Sequence, residues 1–74
     1  MAGGRVTLDA LLAEAAASLV AAGSPSARLD AEVLLCHVLG VERTWLYTWG
    51  DRDADGEATG RFRALLARRM AGEP

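Results

Sequence analysis

The chain has 74 residues, is 51% apolar, and carries a formal charge of −2, with eight basic residues against ten acidic ones. That is enough for one small globular domain, too apolar for a disordered tail, and too acidic on balance to coat a nucleic-acid backbone. Its one cysteine, Cys36, excludes an internal disulfide and a multi-cysteine zinc site.

Every basic residue is arginine, and Lys, Asn, Gln and Ile are absent, a bias that reads as GC-rich coding rather than as chemistry. Asp9 and Glu14 interrupt the leucine-rich start, so it does not read as a secretory signal, and no apolar run approaches a membrane span. The expected location is cytoplasmic, with neither nucleic acid nor membrane as a partner.

Met1 to Val6 is a short lead-in, after which Thr7 is placed to cap a helix and Asp9 to favour its positive end. Leu8, Leu11, Leu12, Ala15, Leu19 and Val20 then form the apolar stripe of a first helix, and Gly23 stands where a left-handed stop is wanted. Ser24-Pro25-Ser26 reads as a turn, with either serine available as the next cap. A second helix is predicted from about Ala27 to Leu39, ending at Gly40. Its apolar residues go most of the way round, which predicts a central helix surrounded by others.

Val41 to about Tyr47 reads as a short third helix, followed by Thr48-Trp49-Gly50 and the acidic loop 51–56. The last helix is predicted from near Asp55 to about Ala71, with Ala58, Phe62, Leu65, Leu66 and Met70 as its stripe. Arg68 and Arg69 fall in its final turn, where positive charge complements the dipole. No strand-like alternation appears. The expected fold is all-α, a four- to five-helix bundle over 1–72 with a central second helix, and a linker to a further domain beginning at 73–74.

Asp51-x-Asp53-x-Asp55-Gly56 matches the first half of a calcium-binding loop, but Phe62 stands where such a loop must supply its bidentate carboxylate. A solvated acidic turn that caps the last helix is the better reading. Asp30 and His37 are seven apart on the second helix, too far to touch directly, and both are expected in structural roles, His37 partly buried. Cys36, in an apolar run, reads as a small buried hydrophobe. Arg69 falls on the apolar stripe of the last helix and must reach past its end or pair with Asp30 or Glu32.

Trp45, Tyr47 and Trp49 cluster with Arg43 around the third helix. Core packing is the expected role of Trp45, whereas Arg43 and Trp49 are candidates for partner contact. Nothing in the sequence offers a nucleophile with a local base, a glycine-rich phosphate loop or a metal-ligand set, so no catalytic, cofactor-binding or metal residue is assigned.

Arg28, Asp30, Ala31, Glu32, Leu34, Leu35, His37 and Gly40 together resemble the Arg-x-Asp-Ala-Glu-x-Leu-Leu-x-His-x-x-Gly pattern near the start of the bacterial release-factor glutamine methyltransferases (HemK/PrmC). Arg43-Thr44, Phe62 and the closing Arg68-Arg69-x-x-Gly72-Glu73-Pro74 are similar too. The resemblance implies an amino-terminal helical bundle that helps dock a class I peptide-chain release factor. It also implies a following domain that binds S-adenosylmethionine and methylates the glutamine of the factor's Gly-Gly-Gln loop. The family's catalytic Asn-Pro-Pro-Tyr motif cannot lie within a chain that has no asparagine, so the chain alone is expected to be inert. The implied partners are the release factor and the protein's own catalytic domain. A free-standing helical adaptor or dimerisation module is the alternative, and helix-turn-helix DNA binding is disfavoured by charge.

Overall fold

A computed structural model describes residues 6–72, and the sequence readings on residues 1–5 and 73–74 lie outside them. Four α-helices form in chain order and no strand appears among the described residues. The count is therefore four rather than five.

Thr7 takes extended backbone, and its hydroxyl accepts from the Ala10 amide at 3.1 Å, which starts α1 at Leu8–Ala21. The end of α1 turns back on Gly23, whose φ of 92° sets it in the left-handed region that side chains avoid. Gly23 N–H then returns to the Val20 carbonyl and Ser24 N–H to that of Leu19, both at 2.9 Å, so carbonyls near the end of α1 find partners in the turn. Ser26 is the cap position of α2, Ala27–Leu39, although its hydroxyl makes no capping bond. Gly40, at φ 69°, closes that helix with its N–H on the Cys36 carbonyl at 2.8 Å.

The third helix, α3, spans Arg43–Trp49 rather than beginning at Val41. Glu42 is extended (φ −90°, ψ 162°), so the chain leaves Gly40 straight before it turns. As a result Trp49 lies in the last helical turn and not in the loop. The fourth helix, α4, spans Gly56–Met70, and the Asp55 carboxylate accepts from the amides of Glu57 and Ala58, both at 3.1 Å. Capping α4 is what the acidic turn does. Among the described residues, no group of three or more His, Cys, Asp or Glu side chains is placed to hold a metal ion.

The loop after α3 also serves the start of α1. Leu8 and Asp9 donate their amides to the carbonyls of Arg52 (2.9 Å) and Gly50 (2.8 Å), and Ala54 donates to Val6 (2.7 Å). These bonds fill first-turn amides that a helix cannot satisfy internally. With an isolated Thr7–Asp53 bridge they also tie the start of α1 to the loop between α3 and α4.

Leu8, Leu11, Leu12, Ala15 and Leu19 of α1 meet Ala27, Ala31, Leu35 and Val38 of α2, Leu46 of α3, and Phe62 and Leu66 of α4 in one buried cluster. Ala15 and Ala31, with 1% and 0% exposure, let the two long helices approach closely, while the leucines and Phe62 supply most of the apolar area. The second helix touches all three others, as a central helix should.

Three readings of the apolar pattern need correcting. Val20 is 64% exposed, because twelve positions after Leu8 a helix has turned about three and a third times and lands off the stripe. Met70, at the last position of α4, is exposed at the flank of its stripe. Leu29 and Val33 are also exposed, so α2 is covered on its inner sides and not all round.

Candidate functional site

Glu32 is the one buried charged side chain among the described residues, and it organises the junction of α2 and α3. Arg28, one turn earlier on α2, donates Nε to its Oε2 at 3.1 Å. Arg43, in the first turn of α3, donates Nε to Oε1 at 3.1 Å. The Tyr47 hydroxyl donates to the same oxygen at 3.0 Å while accepting from Arg43 Nη2 at 2.9 Å. Burial pushes the Glu32 carboxyl up. The hydrogen bonds from Arg28, Tyr47 and Arg43, with the charge of Arg43, outweigh that push and hold it below the usual carboxylate value. Arg43 is raised in turn by its hydrogen bonds with Tyr47 and Glu32, so its charge is fixed.

This cluster fastens α3 to α2 with its far side turned outward. There an open groove runs past Gly40, Val41, Glu42, Trp45, Thr48 and Trp49. Trp45 is partly buried against the core, whereas Trp49 remains 40% exposed. Arg52 lies over the Trp49 ring, its guanidinium carbon 4.5 Å from the centroid, within cation–π range. Trp49 and Arg52 are three apart across Gly50, and that spacing was the only sequence signal for the stack.

On the opposite side of the same turns of α2, the Asp30 carboxylate accepts from Ser24 Oγ at 2.8 Å and faces Arg69 Nη2 at 3.5 Å. Of the two acids considered for Arg69, Asp30 is the near one, since Glu32 is engaged by Arg28 and Arg43. His37 is exposed in the last turn of α2, not partly buried, because its position faces away from α1 and α4. Cys36 is only partly buried; burial first, then the negative Glu32 nearby, raises its thiol. A raised thiol is a poor nucleophile at neutral pH.

Arg43 and Trp49 therefore stand on one short helix, and Asp30 and Arg69 pair some distance away. Sequence reasoning had not joined Glu32, Arg28 and Tyr47. The Arg28–Glu32 spacing was visible as a helical i,i+4 pair, but the partners from α3 become neighbours only through the fold.

Known proteins supply the remaining comparison. Residues 10–74 match the family model described as the PrmC N-terminal domain. The chain is similar to proteins named release factor glutamine methyltransferase in Aliivibrio fischeri and Vibrio cholerae. Each is 48% identical over 69 residues, covering 93% of this chain and 24% of the relative. A Burkholderia pseudomallei protein of the same name is 53% identical over 51 residues, 69% of this chain and 18% of the relative. The chain thus spans about a quarter of the length of the curated relatives it matches. No solved structure gives a significant match.

Proposed function

The chain belongs to the PrmC N-terminal domain family, and from that premise we propose that it is the helical docking part of a release-factor glutamine methyltransferase. Its role in this reading is to hold a class I release factor so that the glutamine of the Gly-Gly-Gln loop reaches the methyl donor. The observation that carries it is the likeness, over 93% of the chain, to proteins named for that activity. An amide nitrogen is a poor nucleophile, and contacts remote from the reacting atoms can supply the binding energy that positions it.

The contact region in this reading is the outer side of α3. Trp49 offers a large exposed ring, and Arg43 a charged group held in place by Glu32 and Tyr47. Exposed aromatic rings and guanidiniums, here Trp49 with Arg52 over its ring and Arg43 on the same helix, are the residue types that interface hot spots favour.

S-adenosylmethionine, which the resemblance implies, does not fit these residues. The groove beside α3 is open, with Glu42 as its lining carboxylate and no glycine-rich turn to converge backbone amides. Methyl transfer is assigned to no residue of this chain. Among the described residues no helix is long and apolar enough to cross a membrane, and a cytoplasmic location is part of the same proposal.

The test is a pull-down of a class I release factor by the full-length methyltransferase with and without this segment. Retention is expected to depend on the segment. Equal retention by the protein lacking it would remove the docking role.

A further inference from the structure

The outer face of α2 carries an apolar ridge that the α3 contact region does not use. Leu29 and Val33 stand one turn apart and are 43% and 53% exposed, on the side of the helix away from Ala31, Leu35 and Val38. Partly buried Cys36 continues the same side. Two adjacent half-exposed branched side chains are apolar surface that a partner can cover.

The two flanks of the ridge carry charge in a particular arrangement. On one flank Glu32 lies between Arg28 and Arg43; on the other Asp30 lies against Ser24 and Arg69. The side chains of Glu32 and Asp30 are only 6% and 20% exposed, whereas Arg28, Arg43 and Arg69 are 52%, 49% and 51% exposed. Both carboxylates are turned into the fold, and the guanidiniums face water. Among the described residues of this rim, three cations oppose two anions. A partner approaching α2 meets aliphatic side chains bordered by arginine.

We propose that this ridge docks an amphipathic helix from a protein partner, one with apolar side chains along its centre and Asp or Glu on both sides. Helix-on-ridge contact reads anchors spaced at i, i+3 or i+4, and i+7, and acidic flanks complement an arginine rim. The chain's net charge of −2 does not oppose this, because charges beyond about 8 Å are screened at physiological salt. A second copy of the chain is the poorer occupant, since two such faces packed together would set arginine rim against arginine rim. The proposal does not depend on the release-factor reading; its face is centred on Leu29 and Val33 of α2 and meets the α3 region at Arg43.

The test uses the isotopically labelled chain and two synthetic helical peptides. Both carry leucines at helical spacing; one is flanked by Glu, the other by Lys at the same positions. The Glu-flanked peptide is expected to bind saturably and to shift the amide signals of Leu29, Val33 and Arg28. The Lys-flanked peptide should bind at least about tenfold more weakly. Val33→Asp and, separately, Leu29→Ser should each weaken the Glu-flanked peptide by about tenfold, with thermal melts confirming that both variants fold. The idea is overturned if the two peptides bind alike, if neither substitution matters, or if the shifts cluster at Trp45 and Trp49. Dimerisation of the free chain through α2 would also overturn it.

Discussion

A buried carboxylate raises the free energy of the fold unless its lone pairs are filled. Glu32 fills them with two guanidiniums and a phenol, drawn from two helices. Its folded pKa is lowered, so its contribution is complete above the unfolded value of about 4.3 and is lost as pH falls through the folded one. Glu32→Gln is therefore expected to cost about 1–2 kcal/mol at neutral pH, a figure discounted because both arginines are half exposed. Urea melts of the two proteins should differ at neutral pH and converge in acid, where the wild-type carboxyl is protonated. A gap that stays constant with pH would show that shape, not charge, matters at this position. In sequence, Glu32 was a candidate for Arg69. That it serves Arg43 instead depends on how α3 lies against α2, which no spacing along the chain encodes.

At the scale of elements, capping chemistry does much of the work. Asp55 fills two first-turn amides of α4, and Asp55→Ala is expected to lower stability by about 1 kcal/mol. A thermal melt measures this, and an unchanged midpoint would mean that water caps the helix equally well. The start of α1 depends on a longer-range device. Asp9 donates its amide to the Gly50 carbonyl, and a Cβ at position 50 would overlap the Asp9 carboxylate. That carboxylate is the exposed end of a flexible side chain and Gly50 has ordinary helical backbone, so Gly50→Ala should only turn the Asp9 side chain aside and leave hydrogen exchange at Leu8 and Asp9 close to that of the wild type. Uniform acceleration across the chain would indicate global destabilisation instead.

The legibility of the elements follows the same division. Thr7, Gly23, Gly40 and Asp55 act through bonds to near neighbours, and they marked the helix ends in sequence. The start of α3 is not legible because Val41 still bonds back to the Cys36 carbonyl of α2 and Glu42 takes extended backbone, neither of which composition marks. The exposure of Leu29 and Val33 is not legible in sequence, because composition alone cannot separate a helix packed on all sides from one that keeps an apolar face for something else.

At the scale of the whole molecule, the residues that carry the family resemblance turn out to hold the bundle together. Glu32, braced by Arg28 on its own helix, locks α2 to α3 through Arg43, Asp30 meets Arg69 of α4, and Gly40 turns the chain into α3. The motif made the family legible, while the candidate contact surface lies mostly beside it, on Trp49 and the outer side of α3. A docking role makes a specific kinetic demand. In the full-length enzyme, Trp49→Ala removes an exposed ring without opening the core, and Arg43→Ala removes a guanidinium outside it. Each is expected to raise the apparent KM for the intact release factor about 5- to 30-fold, the loss of a contact worth about 1–2 kcal/mol. Methylation of a short Gly-Gly-Gln peptide, too small to reach α3, should proceed as before. Because Arg43 also binds Glu32, Arg43→Ala needs a melting curve beside its kinetics, whereas Trp49→Ala bears on docking directly. If both substrates slow together, the effect travels through the reacting centre, and α3 is not where the factor is held.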